Sequence, residues 1–260
     1  MNNNLEAILL AGGSGSRLRP FSLYTSKHLL PVDNVPMVFY PLKNLQLAGV
    51  KKVFLIVNRE HFPQWEILIN AYDFSMEISI VIQDKPLGIP HAIACCEDLI
   101  EGKNFLVALG DNVILASNFI NNFKTYLADP NRAVICGFNV VDPSAFGVAD
   151  FNDSGKLIQV IEKPLNSPSN IAIAGFYSFP RSSFSLIKSL KYSDRGELEI
   201  SDLINHYIKK ESCDLILSNS RSDYWMDTGT YSSLIQTTNF IKVLKTGSAD
   251  DIAQFPVKAV

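Results

Sequence analysis

Short apolar runs alternate with amphipathic segments through the first half of the chain. Four continuous apolar runs of strand length predict buried strands, at residues 5–11, 53–57, 78–82 and 105–109. The segments between and after them have apolar residues at helical spacing and predict helices, at residues 36–48, 60–71, 90–99 and 118–127. Strands that are apolar on both faces and alternate with helices are typical of a parallel sheet covered on both sides.

The second half has a different pattern, in which strands follow one another with little helix between them. Strand-like runs occupy residues 133–140, 146–151, 157–161 and 173–179. Helical spacing returns at residues 182–189, 201–210 and 231–244. We interpret this half as a mixed extension of the same sheet. The predicted fold is therefore α/β, a Rossmann-like three-layer α/β/α arrangement with a mixed, mainly parallel central sheet.

The composition suits one domain and excludes several classes of partner. Of 260 residues 47% are hydrophobic, and the net charge of −3 comes from 23 basic and 26 acidic residues without long runs. This charge pattern excludes a nucleic-acid or anionic-membrane surface. No apolar run approaches the roughly 18 residues of a membrane span, and the first residues lead directly into a strand. We therefore expect a cytoplasmic protein that contacts no membrane.

The cysteines show no metal-binding spacing. They contain no C-x-x-C motif, and two of them are adjacent, so we expect buried free thiols. The cysteines are Cys95, Cys96, Cys136 and Cys213.

A glycine-rich loop follows the first predicted strand. Gly12, Gly13 and Gly15 allow positive φ, and successive amides in such a turn form a concavity that binds anions. Arg17 adds a planar donor fork suited to phosphate. The loop lacks G-K-[ST], and Leu18 occupies the third glycine position of G-x-G-x-x-G, so neither common phosphate motif is present. From the glycines alone, an ordinary turn and a phosphate site are equally good interpretations.

The wider string resembles a family signature. Residues 9–20 read L-L-A-G-G-S-G-S-R-L-R-P and residues 26–31 read S-K-H-L-L-P. They resemble the sugar nucleotidylyltransferase family pattern L-A-G-G-x-G-[ST]-R-L-x-P followed by K-x-[LM]-[LV]-P, and the likeness extends over residues 5–244. Within that family the chain is similar to bacterial glucose-1-phosphate thymidylyltransferases. The resemblance implies a fold of the nucleotide-diphospho-sugar transferase type. It also implies the transfer of a nucleotidyl group from a nucleoside triphosphate to a sugar 1-phosphate, with release of pyrophosphate.

The resemblance divides the chain into functional parts. We expect a single domain over residues 1–260, with a nucleotide-binding half at about 1–130, a sugar-binding half at about 131–245 and a short C-terminal tail at 246–260. The residues that it implies for nucleotide binding are Leu10, Gly12, Gly13, Ser14, Gly15, Ser16, Arg17, Lys27, Gln83, Pro86, Gly88 and Asp111. Those that it implies for the sugar phosphate are Gly147, Glu162, Lys163, Ile173, Tyr177 and Arg195.

Two aspartates match motifs that hold magnesium in the family. Asp111 lies in G-D-N at the end of the fourth strand, and Asp227 lies in W-M-D-T-G-T. Mg²⁺ prefers carboxylate and phosphate oxygens, so two aspartates on separate segments suit it as a cofactor. The second pKa of a sugar phosphate is about 6, so the nucleophile needs no general base and catalysis is positioning plus charge neutralisation. The residues expected to carry it are Arg17, Lys27, Asp111, Lys163 and Asp227.

Base recognition is less defined. A glutamine amide at Gln83 can accept from N3–H of thymine or uracil and donate to a ring carbonyl, and Gly88 would let the backbone approach the base. The ribose is expected near Leu9 or Leu10, and an apolar side chain there offers no partner to a 2′-hydroxyl, which favours a deoxynucleotide, hence dTTP. Close relatives carry G-L-A-[QE]-A, where this chain has Gly88-Ile89-Pro90-His91-Ala92. His91 either replaces a polar residue near base or sugar, or is a structural histidine.

The sequence leaves three alternatives to a dTTP-dependent glucose-1-phosphate enzyme. One is the same fold using UTP or another sugar 1-phosphate, and another is a non-catalytic regulator that binds nucleotide sugars. Such regulators lose metal or phosphate ligands, which are all present here. A Rossmann dehydrogenase is disfavoured because the glycine spacing fails.

We expect the partners to be a nucleoside triphosphate, a sugar 1-phosphate and further copies of this chain, in a homo-oligomer that is a dimer or a tetramer. Relatives usually continue with additional helix that helps form an effector site and subunit contacts. Because this chain ends at Val260, end-product inhibition is expected to be weak or absent.

Overall fold

The computed structural model describes residues 5–247 and 253–258. The expected tail at residues 246–260 therefore lies partly outside the described residues. The strands are β1 (Glu6–Ala11), β2 (Pro31–Val32), β3 (Val35–Pro36), β4 (Lys52–Val57), β5 (Glu77–Ile82), β6 (Asn104–Leu109), β7 (Asn112–Leu115), β8 (Ala133–Asn139), β9 (Gly147–Phe151), β10 (Leu157–Glu162), β11 (Ile171–Pro180), β12 (Cys213–Leu217) and β13 (Tyr224–Asp227). The α-helices are α1 (Phe39–Leu47), α2 (Phe62–Ala71), α3 (Ile89–Ala94), α4 (Ser117–Tyr126), α5 (Ser183–Ile187), α6 (Ile200–Lys209) and α7 (Tyr231–Gly247).

One mixed sheet runs through both halves of the chain. Within the described ranges it has nine strands, in the order β10-β9-β11-β6-β1-β4-β5, with β8 paired to β11 and β12 paired to β8. Strands β6, β1, β4 and β5 are parallel neighbours, whereas β11 runs antiparallel to β6 and β8. The predicted mixed, mainly parallel sheet is confirmed.

The central strand β1 separates two apolar cores. Its alternating side chains point to opposite faces, as the period of two in a strand requires. Ala7 and Leu9 belong to the core on one face, and Ile8 and Leu10 belong to the core on the other. Helices cover both cores, so the three-layer arrangement is also confirmed.

Several predicted boundaries were wrong. Helix α1 begins at Phe39 rather than at residue 36, because Val35–Pro36 pairs with Pro31–Val32 in a short hairpin. Helix α3 ends at Ala94, and the residues up to 99 form turns instead of continuing it. Strands β7, β12 and β13 were not predicted. They are short, and their stability comes from pairing with distant segments, which no local pattern reports.

The cysteines differ in part from the expectation. All four lie in the described ranges and are free thiols, and Cys96 and Cys136 are buried. Cys213 is partly buried, and Cys95 is exposed, directly after the end of helix α3. Among the described helices, none combines the length and the apolar character needed to cross a membrane.

Residues 253–258 pack against the end of helix α2. The backbone N–H of Asp73 donates to the Pro256 carbonyl at 2.8 Å, and that of Lys258 donates to the Ala71 carbonyl at 2.8 Å. The buried Phe255 ring meets the Phe39 ring edge-on, with 5.2 Å between centroids, and lies 4.8 Å from the Phe74 centroid. This segment therefore contributes to the apolar core.

We expect Phe255→Ala to lower the free energy of unfolding by about 3 kcal/mol, because truncating a buried ring loses its burial and leaves a cavity. Urea denaturation followed by circular dichroism measures the change. Val257→Ala is the matched control, since Val257 is 68% exposed on the same segment and its truncation should cost under about 0.5 kcal/mol. Equal effects of the two variants would contradict a core role for Phe255.

Candidate active site

Segments distant in sequence meet at the carboxyl ends of β1 and β6. These parallel neighbours end side by side, and the Gly110 N–H donates to the Leu10 carbonyl at 2.9 Å. The glycine-rich loop leaves β1 here, and Asp111 follows β6. A cavity of about 410 Å³ opens beside Asp111, between the sheet edge and the second half of the chain. The predicted site residues that line it are Arg17, Asp111, Gly147, Glu162, Lys163, Ile173, Tyr177 and Asp227.

Asp111 is held by a charged partner. Lys27 Nζ lies 2.5 Å from Asp111 Oδ2, and the two side chains are 11% and 15% exposed. Asn112 Nδ2 donates to the other carboxylate oxygen at 3.1 Å. Burial alone would raise the pKa of Asp111, but the adjacent Lys27 ammonium outweighs it and holds the pKa well below the usual range. Asp111 is therefore an anion at neutral pH.

His28 lies behind this pair and is uncharged. Burial, with a further contribution from the Lys27 charge, lowers the pKa of His28 to about 3. Its Nδ1 lies 3.2 Å from Ser26 Oγ. A Cβ placed on Gly110 would lie 2.7 Å from the His28 ring and 2.8 Å from the Leu10 carbonyl oxygen, so only glycine fits between them. His28 thus packs under the site as a neutral ring.

Asp227 reaches the same place through an unpredicted strand pair. Strand β13 pairs with β7 so that Asp227 is opposite Asn112. Both the backbone N–H and the hydroxyl of Thr228 donate to the Asp111 main-chain carbonyl, at 3.0 and 2.7 Å. Burial, and then the Asp111 carboxylate, raise the pKa of Asp227. Two partly buried carboxylates therefore stand near each other, and the charge of Asp111 disfavours the charge of Asp227.

This donor set fits a hard divalent cation. Among residues 5–247 and 253–258, no group of three or more His, Cys, Asp or Glu side chains gathers to enclose a metal. Asp111 and Asp227 alone suit Mg²⁺, which keeps several waters and takes its remaining ligands from phosphates. A cation here would also relieve the repulsion that raises the Asp227 pKa.

Arg17 joins the two aspartates from the glycine-rich loop. A Cβ placed on Gly229 would lie 2.7 Å from an Arg17 guanidinium nitrogen and 2.8 Å from Asp227 Oδ1. The loop itself bends at Gly15, which has φ of 62° and whose carbonyl accepts from Ser22 Oγ at 2.7 Å. The remaining polar residues of the loop, Ser14 and Ser16, are exposed at the site entrance.

The loop also contacts the segment after β5. A Cβ on Gly12 would lie 3.0 Å from Gln83 Oε1, and one on Gly13 would lie 3.4 Å from Lys27 Cε. Gln83 is buried, whereas Pro86 is exposed at the tip of the next turn. The glycine-rich loop therefore lies next to both Gln83 and Lys27.

Gly88 makes a close backbone contact within the protein. Its φ is 101°, and an added Cβ would lie 2.2 Å from the Leu198 carbonyl oxygen. The Leu198 N–H donates to the Leu87 carbonyl at 2.9 Å. From the sequence we expected Gly88 to let the backbone approach a base. In the structure the Gly88 backbone closely approaches the Leu198 main chain. The segment after β5 is therefore tied to the segment that carries Arg195.

The opposite side of the cavity carries a charged cluster around Glu162. Lys163 Nζ and Arg195 Nη2 lie 3.5 and 3.6 Å from Glu162 Oε1, and Arg195 also pairs with Glu199 at 2.5 Å. Burial is the main reason that the pKa of Glu162 is raised. Lys163 has φ of 43°, an unusual backbone conformation that turns its side chain at the end of β10. Arg195 lies at the rim, outside the residues that line the cavity.

The lining residues that were not assigned from the sequence include Asn112, Gly175 and Trp225. The carbonyl of the Asn112 side chain accepts from the Gly175 N–H at 2.8 Å and from the Trp225 indole at 2.7 Å. Asn112 thereby connects β7, β11 and β13 beneath the two aspartates. Asn112 and Trp225 are neighbours in sequence of the two motif aspartates, and this proximity could have marked them as candidate site residues. Their contact with each other depends on the tertiary structure alone.

A family model described as nucleotidyl transferase matches residues 6–243. The chain belongs to the nucleotidyl transferase family. Relatives within it are similar over most of their length. The chain is 35% identical over 242 residues to the glucose-1-phosphate thymidylyltransferase of Neisseria meningitidis, covering 93% of this chain and 84% of that protein.

Solved structures support the same family fold. A protein assigned as a glucose-1-phosphate thymidylyltransferase from Bacillus anthracis, in complex with sucrose, superposes with a TM-score of 0.81 at 34% identity. The match covers 91% of this nucleotidyl transferase and 94% of that chain. A UDP-glucose pyrophosphorylase in complex with UDP-glucose has a TM-score of 0.82 at 19% identity, covering 92% and 99% of the two chains, and shows the shared fold.

Proposed function

We propose that this nucleotidyl transferase joins dTTP to glucose 1-phosphate and releases pyrophosphate. The observation that carries the proposal is the pair of cationic groups on either side of Asp111 and Asp227. Arg17 and Lys27 lie on the side of the glycine-rich loop, and Lys163 and Arg195 lie on the opposite side, beside Glu162. Two polyanions must meet in this reaction, and the site offers cations to each.

The nucleotide occupies the groove along the glycine-rich loop in this proposal. The loop amides and Arg17 bind the phosphates, and Lys27 exchanges its Asp111 partner for a phosphate oxygen. The triphosphate contacts come from Gly12, Gly13, Ser14, Gly15, Ser16, Arg17 and Lys27. The base and ribose contacts come from Leu10, Gln83, Pro86 and Gly88.

The sugar 1-phosphate occupies the cavity. Lys163 and Arg195 hold its phosphate. Glu162 accepts hydrogen bonds from its hydroxyls, and the Gly147 backbone donates to them. Ile173 and Tyr177 form the apolar wall. Its phosphate oxygen is already largely ionised at pH 7, since its second pKa is about 6, and attacks the α-phosphorus in line. The residues act by positioning and by neutralising charge, without a general base.

The proposed cofactor is Mg²⁺, held by Asp111 and Asp227. When bound, the ion would neutralise charge on the α-phosphate as pyrophosphate leaves. We also propose that the enzyme is a cytoplasmic homo-oligomer, a dimer or a tetramer. Apolar side chains exposed on and near the loop after Arg19 support association, and they are Phe21, Leu23, Tyr24 and Tyr231.

Pyrophosphate release tests the proposal across dTTP, UTP, CTP, ATP and GTP, each with a panel of sugar 1-phosphates and Mg²⁺. The expected maximum is dTTP with glucose 1-phosphate. A maximum with UTP or another sugar would keep the reaction and change the substrates. Folded protein that releases no pyrophosphate from any pair would contradict the enzyme and favour a nucleotide-sugar-binding regulator.

A further inference from the structure

The side-chain amide of Gln83 is held between two groups. It is buried, and its Nε2 lies 2.8 Å from His91 Nδ1 on helix α3. Its Oε1 faces the glycine-rich loop, where a Cβ on Gly12 would lie 3.0 Å away. The nitrogen of the amide therefore points to the helix and the oxygen points to the loop.

The contact with His91 determines the orientation of the Gln83 amide, that is, which way its nitrogen and its oxygen point. An amide nitrogen donates hydrogen bonds and accepts none, so His91 Nδ1 is the acceptor and the ring proton is on Nε2. With the acceptor removed, half a turn of the amide would exchange its oxygen and nitrogen at little cost. The His91 ring, accepting at Nδ1, therefore keeps Gln83 Oε1 directed at the loop.

The backbone holds His91 in place independently of any ligand. Helix α3 begins after Gly88, whose carbonyl accepts from the Ala92 N–H at 3.2 Å, and Pro90 is buried in its first turn. Gly88 in turn is packed against the Leu198 main chain. The position of the His91 main chain is thus set within the protein, before a nucleotide arrives.

We propose that His91 is a positioning residue that selects bases with an N–H at ring position 3. By fixing the Gln83 amide, it presents an acceptor, Oε1, to the nucleotide groove. Thymine and uracil have a donor at N3, whereas cytosine has an acceptor there and would meet Oε1 lone pair to lone pair. This inference rests on the proposed nucleotide-binding site. It adds His91 as the residue that orients Gln83, which contacts the base.

The tautomer of His91 gives a first test that needs no substrate. Nitrogen-15 NMR of the imidazole rings in the free protein, with His91 assigned by its loss in His91→Asn, is expected to show His91 Nδ1 as an unprotonated acceptor. Gln83→Ala should shift that Nδ1 resonance. A protonated Nδ1 in the wild-type protein at pH 8 would overturn the proposal, whatever the enzyme's substrates are.

Nucleotide selectivity gives the second test. Isothermal titration calorimetry with dTTP and with CTP, each with Mg²⁺, measures the ratio of dissociation constants in the wild type, His91→Phe and His91→Asn. His91→Phe keeps a ring but has no acceptor, and the preference for dTTP is expected to fall about 10-fold, the worth of one buried hydrogen bond. His91→Asn places an amide oxygen near the Nδ1 position and is expected to retain most of the preference.

The outcomes separate this inference from the proposed function. A preference that survives in His91→Phe, or one that falls equally in both variants, would overturn the role of His91 while leaving the enzyme's reaction untouched. Wild-type protein that binds CTP as well as dTTP would overturn the base selection, and the pyrophosphate assay would still decide the reaction separately.

Discussion

Asp111→Asn is expected to lower the turnover number by roughly 10²–10³-fold, the usual effect of removing one charged group that stabilises a transition state. The substitution keeps the side-chain shape but removes the charge that pairs with Lys27 and completes the carboxylate pair with Asp227. Initial rates of pyrophosphate release at saturating dTTP and glucose 1-phosphate measure it. Titrating Mg²⁺ in the same assay should show a weaker apparent affinity for the ion.

Folding should survive this change. The two Thr228 hydrogen bonds go to the Asp111 main-chain carbonyl, which the substitution leaves in place. Asp153→Asn, at an exposed turn between β9 and β10, is the matched control and should keep wild-type turnover. A folded Asp111→Asn variant with turnover near that of the control would remove Asp111 from the proposed metal site.

Gly88→Ala is expected to raise the KM for both substrates about 10- to 100-fold, because about 1–3 kcal/mol of backbone strain must be relieved by moving the chain. An added Cβ would lie 2.2 Å from the Leu198 carbonyl oxygen and 2.7 Å from its nitrogen, and main-chain atoms cannot rotate away. Separating the two segments would displace Gln83, on the proposed nucleotide side, and Arg195, on the proposed sugar side, together. Steady-state kinetics with each substrate varied in turn measure the two KM values.

Gly155→Ala is the control that separates the effect of a steric clash from the effect of placing alanine at a positive φ. Gly155 also has positive φ, 76°, but a Cβ there would meet nothing within 4 Å. That variant should lose some stability and keep both KM values. If Gly88→Ala altered the KM for dTTP alone, the two segments would not be coupled through Leu198, and the contact would serve only to hold the base segment.

The sequence predicted most of the central sheet because each of its strands has a recognisable pattern of apolar residues within its own segment. Each parallel strand is an uninterrupted apolar run bounded by glycine or polar residues, and burial on both faces demands that pattern wherever the strand pairs. The glycine-rich loop was predicted from its glycines, and Asp111 was predicted through the resemblance of its G-D-N motif. They directly follow apolar runs, and ligands on such sheets bind at the carboxyl ends of strands.

The contacts within the site could not be predicted in this way. Strand β13 is short and partly exposed, and it is a strand because β7 supplies its hydrogen-bond partners. That pairing, which brings Asp227 to Asp111, has no signature within either segment. The exposure of Cys95 and the early end of helix α3 likewise depend on what packs around them.

The sequence by itself therefore determined most of the strands, the glycine-rich loop and the chemical types of the candidate site residues, since each depends on neighbours within a few positions. The tertiary structure decided how those residues are paired. Lys27 with Asp111, Gly88 with Leu198 and Gln83 with His91 are contacts between separate segments. Their geometry depends on where the sheet places each segment, and a linear pattern holds no information about a distance between two chain positions that fold together.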